Sequence, residues 1–233
     1  QMKSFLTIGL LVLSNIFMTL AWYGHLKFKE LKWFENAGLI AIVFISFAST
    51  KNKKMQKHIL IYGLISGIIV SAIMLVSMNY FSHCEGNVDM TTSMIIGYAS
   101  MLIAFSLVFV GIRSYRDKYQ NGVISFGKSF KIGILIVLIA STLYVVSWMI
   151  CYFFFMPDFL DKYGAMEIEN MKSAGATITE IENKRKEMAD FNRMYKNPFF
   201  NAMMTYAEIL PVGLIVTLIS ALILKRKTKN NTI

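Results

Sequence analysis

The sequence predicts an all-α, polytopic transmembrane helical bundle of five or six spans, with a small extramembrane helical region at 157–198. Three observations carry that expectation. The 233 residues are 55% hydrophobic and only 16% charged, whereas a water-soluble domain carries about 25% charged residues. The apolar excess has to face lipid. Uncharged runs long enough to cross a bilayer recur: Phe5–Tyr23, Ile59–Phe81, Thr91–Ile112, Ile132–Phe155 and, with one acid, Ala202–Leu224. A span needs roughly 20 apolar residues at about 1.5 Å rise each. Finally, basic residues gather just outside these runs, at 51–57, 113–131 and 225–229.

Phe5–Tyr23 reads as a first span and not as a signal peptide. It is long, only Lys3 precedes it, and no small-x-small cleavage pattern stands near Trp22 and Tyr23. Met2 reads as the natural start, with Gln1 ahead of it. Asn15 and Thr19, four apart in this run, share one helix face suited to packing. Ala37–Thr50 is apolar but short, and either spans or lies at the interface. Ile59–Phe81 carries Gly63, Gly67 and Ser71 at four-residue spacing. Such a stripe lets a second helix come close.

Pro157 to Pro198 is the one sizeable polar region. In its second half, Thr177 and Glu180 have capping-box spacing. Ile178, Ile181, Met188, Phe191 and Tyr195 then fall on one helical stripe. A surface helix packed on its neighbour or on the membrane is expected. A partner-binding or homo-oligomer-forming helix is the other reading.

Topology follows from charge. Lys and Arg resist translocation. The stretches 51–57 and 113–131 and the C-terminal tail are therefore expected inside, and 83–89 and 157–198 outside. That makes a multi-pass protein of the cell's inner (cytoplasmic) membrane with a cytoplasmic C-terminus. The organisation reads as an N-terminal membrane part, 1–50, and a four-helix membrane domain, 51–233.

The net charge of +10 is confined to the flanks of apolar runs. It therefore points to anionic lipid and not to nucleic acid. Arg113, Arg116, Lys128 and Lys131 are the candidate lipid contacts. Gly122 to Ser129 spells the phosphate-loop pattern GxxxxGK[ST]. That pattern works where a strand leads into a helix. No strand pattern precedes it, so a flexible loop before a membrane helix is expected. Cys84 and Cys151 are read as two free thiols, with a disulfide between them as the alternative.

Glu208 is the only acid inside an apolar run, and ionisable groups at membrane depth are functional candidates. Pro211 lies nearby and frees the carbonyl of Ala207. A polar pocket shared with Tyr206, Thr205 or Tyr144 is one expectation. Its role is either structural or part of solute or proton transport. His25, His58 and His83 stand at three different helix ends, so no metal constellation forms. No catalytic grouping is legible either. No enzyme activity and no cofactor are expected.

The stretch from Ser14 to Lys27, SNIFMTLAWYGHLK, resembles the start of the domain of unknown function family 486. That family is related to drug/metabolite transporters, which implies a transporter-like unit. The resemblance runs over about 2–49 and then stops, so the unit reads as truncated. From Met55 on, the chain resembles the domain of unknown function family 4199. The resemblance rests on Gly111–Asp117, Ile124–Gly133 and Glu208–Leu214. It implies four membrane helices with a long outer loop before the last, and assigns the GKS match to the family's own loop. Two function classes follow. The first is a non-enzymatic membrane protein that binds partners or lipid. The second is a small-solute transporter or a subunit of one.

Overall fold

The structure is a computed structural model that describes residues 50, 52–83 and 90–226. The chain divides into two units after Lys53. Phe5–Tyr23, nearly all of Ala37–Thr50, Asn15, Thr19, Cys84 and the acids Glu85 and Asp89 lie outside the described residues. Four described helices are long and apolar enough to cross a membrane: Lys53–Met78, Ile95–Tyr119, Phe126–Phe155 and Pro198–Leu224.

They belong to helices α1 (Lys53–His83), α2 (Met90–Tyr119), α3 (Phe126–Ile150) and α6 (Pro198–Leu224), with α4 (Phe159–Ser173) and α5 (Ile178–Tyr195) between α3 and α6. Each of these four spans is longer than its apolar run in the sequence. In α1, α2 and α3 the extra turns carry the flanking bases. Arg116 and Lys118 sit in the last turn of α2, where cations favour the negative end of the helix dipole. The basic stretch 113–131 is therefore mostly two helix ends joined by a short turn, and not the loop expected from charge. Asn121 and Gly122 adopt positive φ there, 49° and 77°, and Gly122 N–H donates to Arg116 O.

The phosphate-loop match is resolved by the same turn. Gly127, Lys128 and Ser129 lie in the first turn of α3, which Ser125 caps by accepting from Lys128 N–H. This corrects the flexible loop expected there. An apolar run follows directly, so the helix starts as soon as a cap is available.

Lipid is as apolar as leucine, so helices in a bilayer gain little from hiding apolar surface from one another. They associate by close packing instead. Glycines supply that closeness here. A Cβ on Gly63 of α1 would lie 2.8 Å from Ile139 of α3. One on Gly133 of α3 would lie 2.7 Å from Thr217 of α6, and one on Gly213 of α6 would collide with Val137. Helix α3 is thus pinned to both α1 and α6. Ser66 Oγ–H donates to Ala104 O (2.7 Å), tying α1 to α2. Side chains such as Ile68, Val76, Ile103 and Ile223 stay exposed on the outside of the bundle, as lipid-facing residues must.

Helix α3 ends in a π-turn, Cys151–Phe155, with Cys151 free and buried. Both α4 and α5 are helices, so the first half of the polar region is as regular as the second. Gly175, at φ 80°, ends α4, and Ala176 N–H donates back to Met171 O. The Thr177–Glu180 capping box is present on α5. Met188 packs over Gly164. Ile178, expected on the packed stripe, is instead 78% exposed, while Tyr195 at the other end is buried. The first turn of α5, residues 178–180, is exposed throughout.

Candidate functional site

The chain reverses direction at each connection, so the bundle has two unlike ends. The basic end gathers the N-terminus of α1, the α2–α3 turn and the C-terminus of α6. Arg226 N–H donates to Ile124 O there (2.9 Å), clipping the end of α6 to the turn. Arg116 is buried, with Nε donating to Asp117 Oδ1 at 2.7 Å and Nη1 reaching Leu224 O at 3.5 Å. Its charge faces the last carbonyls of α6, where the helix dipole is negative. Arg116 therefore braces the bundle and does not reach outward, unlike the other three lipid candidates. Arg113 is exposed and lies 3.8 Å from Asp117. Lys131 is exposed on α3.

Lys128 has a more specific setting. Its Nζ donates to Gln120 Oε1 (2.7 Å) and stands 5.8 Å from the centroid of the Tyr115 ring. Tyr115 belongs to an aromatic cluster with His58, Tyr62 and Tyr119. His58 Nε2 lies 2.8 Å from Gly111 O. A carbonyl only accepts, so Nε2 carries the proton.

The hairpin end holds the other candidates. Tyr206 Oη–H donates to Thr142 Oγ1 (2.8 Å), linking α6 to α3. Tyr144 is buried. Glu208 makes no hydrogen bond and no ion pair among the described residues. It keeps an open face on the bundle surface, although protein crowds its wider neighbourhood. Its charge acts on Tyr98, Tyr144 and Tyr195. The structure thus brings Glu208 near Tyr144, while Tyr206 turns to Thr142.

One group here was not singled out in the sequence as a site. Trp148 Nε1–H donates to Tyr195 Oη (2.9 Å). Tyr152, Phe191 and Phe200 surround the same tyrosine. Burial pushes the Tyr195 hydroxyl above the usual phenol range and the Glu208 charge adds to this, while hydrogen bonds to Thr205 and Trp148 oppose it. Periodicity places Tyr195 on a packed stripe, but nothing in the sequence pairs it with Trp148, 47 residues away.

No group of three His, Cys, Asp or Glu side chains able to hold a metal occurs among the described residues. The family model described as "Protein of unknown function (DUF4199)" matches residues 61–226, most of the chain and all of α2 to α6, but not the start of α1. The chain belongs to the DUF4199 family. A second model, "Putative member of DMT superfamily (DUF486)", matches residues 7–110. That likeness does not stop at Ser49. It runs on to overlap the DUF4199 match over 61–110, so the DUF486-like part is not truncated where the sequence resemblance ends. No curated protein and no solved structure matches the chain.

Proposed function

We propose that this DUF4199 protein is a non-enzymatic membrane anchor that holds its α4–α5 hairpin in a set orientation for a partner. Its basic end rests on anionic lipid. In this reading the basic end faces the cytoplasm, by the positive-inside rule, and the hairpin faces the other side of the inner membrane. The observation that carries it is that α3 is held tightly both toward its middle and at its hairpin end. Toward the middle, glycine contacts leave no room for a methyl group between α3 and α6. At the hairpin end, Trp148 and the aromatic ring set grip Tyr195. A bundle so closed is suited to holding, and the grip passes its rigidity to the hairpin.

The test is a photo-crosslinker placed at Ile178, which is exposed. The reading expects one adduct of defined mass in native membranes, lost on Trp148→Phe and kept on Glu208→Gln. A diffuse set of adducts unaffected by Trp148→Phe would sink it.

A second reading, a small-solute transporter or transporter subunit, is favoured by Glu208, an acid in a membrane-spanning helix with no ion pair among the described residues. The DMT-type match over 7–110 points the same way. Proteoliposome flux that falls on Glu208→Gln at equal protein level would establish it over the first reading.

A further inference from the structure

The aromatic cluster at the basic end holds a hydroxyl without a partner among the described residues. Tyr115 is fully buried, and its Oη has no hydrogen-bond partner among the described residues. A buried hydroxyl left without a partner costs stability, so native structures rarely keep one. Lys128 stands over the same ring. It is held by an amide, Gln120, and by the ring face, with no carboxylate in ion-pair range among the described residues. Lys118 adds positive charge, close enough to act on His58. One missing group would satisfy all three features. It would be anionic, accept hydrogen bonds, and lie at the depth where the spans end.

We propose that the junction of α1, the end of α2 and the start of α3 binds the phosphate of an anionic phospholipid. Lys128 Nζ supplies the counter-charge, and Tyr115 Oη–H donates to a phosphate oxygen. The rings of His58, Tyr62 and Tyr119 form the walls. Lys128 reaches the site on a long flexible stem and admits the headgroup by a rotamer change. The acyl chains find apolar surface at once, because Leu60, Ile61 and Leu64 of α1 are exposed within two turns of His58. A phospholipid is favoured over free phosphate because that apolar surface lies on the same helix, close in sequence to His58. This proposal rests on the lipid-holding part of the reading above and gives it a residue-level site.

Tyr115→Phe separates this account from a merely structural one. Removing an unsatisfied buried hydroxyl should leave the fold as stable or more so. Losing a donor to a charged acceptor should weaken lipid binding by about tenfold or more. Full-length protein would be reconstituted in phosphatidylcholine vesicles with and without phosphatidylglycerol. Retained lipid would be read by native mass spectrometry and stability by thermal unfolding. The proposal expects phosphatidylglycerol retention and a raised Tm in the wild type. Both should be lost in Tyr115→Phe and Lys128→Gln and kept in Lys172→Gln, a change to an exposed base in the hairpin. It is overturned if Tyr115→Phe retains the lipid as the wild type does, or if Lys172→Gln loses it equally, which marks diffuse attraction. Inorganic phosphate raising Tm in pure phosphatidylcholine, with no added effect of phosphatidylglycerol, overturns the lipid source. The Ile178 crosslink reports the hairpin separately, so failure here is distinguishable from failure of the anchor reading.

Discussion

The bundle and the hairpin are both helical, but they are held together by opposite physics. In the bundle, the contacts that matter are where side chains are missing: Gly63, Gly133 and Gly213 let backbones approach until neighbouring side chains touch. In the hairpin, the contacts that matter are where side chains are present. The Thr177–Glu180 box caps α5, Met188 covers Gly164, and Asn192 Nδ2–H donates to Asp161. The difference follows from the solvent. Lipid offers no reward for hiding leucine, so shape fit decides. Water rewards burial and competes for every helix end, so amphipathic stripes and caps decide.

This contrast is most easily broken at Gly213. A larger side chain there meets Val137, which is β-branched and stiff, and Phe105 behind it. Gly213→Leu should cost about 3 kcal/mol or more by overpacking. The loss should appear as unfolding of the whole bundle at lower denaturant in micelles, with α5 lost as a consequence. If Gly213→Leu unfolds only the hairpin, the assignment of the tight seam is wrong.

The joint between the two regions comes next. Trp148→Phe keeps the ring and removes the donor to Tyr195, costing about 1 kcal/mol. Amide exchange should quicken in α5 and stay slow in α3 and α6. The same joint should withstand alkali. Tyr195 favours its neutral form in the fold, so its contribution is complete at ordinary pH. It is lost only as pH rises through a value above the ordinary 10.0.

The smallest effects are confined to the hairpin. Thr177→Ala should cost about 1 kcal/mol of α5 stability, seen as fraying of its first turn. The Thr177 N–H and hydroxyl hold the Glu180 carboxyl below its ordinary 4.5. The cap is therefore complete above that value and lost as pH falls through the lower one. Circular dichroism should show a partial helical loss in acid that Thr177→Ala removes. The glycine seams carry no titrating group and should not respond.

What was legible in the sequence divides along the same line. The spans, the Gly63–Gly67 stripe and the capping box could be read because each rests on spacing within one helix. The helix ends were misplaced because charge ends a hydrophobic run but does not end a helix. Arg116 at the close of α2 is helical and buried. Tyr115 with Lys128, and Trp148 with Tyr195, were not legible. They join residues on different helices whose register depends on where glycines let those helices cross. Glu208 is legible as the lone acid in a span, but that no described residue pairs with it appears only in three dimensions.

The central claim is that the four-helix unit is a closed bundle that holds its hairpin still. Spin labels at Lys131 and Ile223 report the basic ends of α3 and α6, and labels at Ile150 and Phe199 report their hairpin ends; all four positions are exposed. Double electron–electron resonance in lipid vesicles should give one narrow distance distribution for each pair, unchanged by Glu208→Gln. Two populations that open one end while closing the other, with a balance shifted by Glu208→Gln, would contradict the account and establish a bundle that moves as a transporter does.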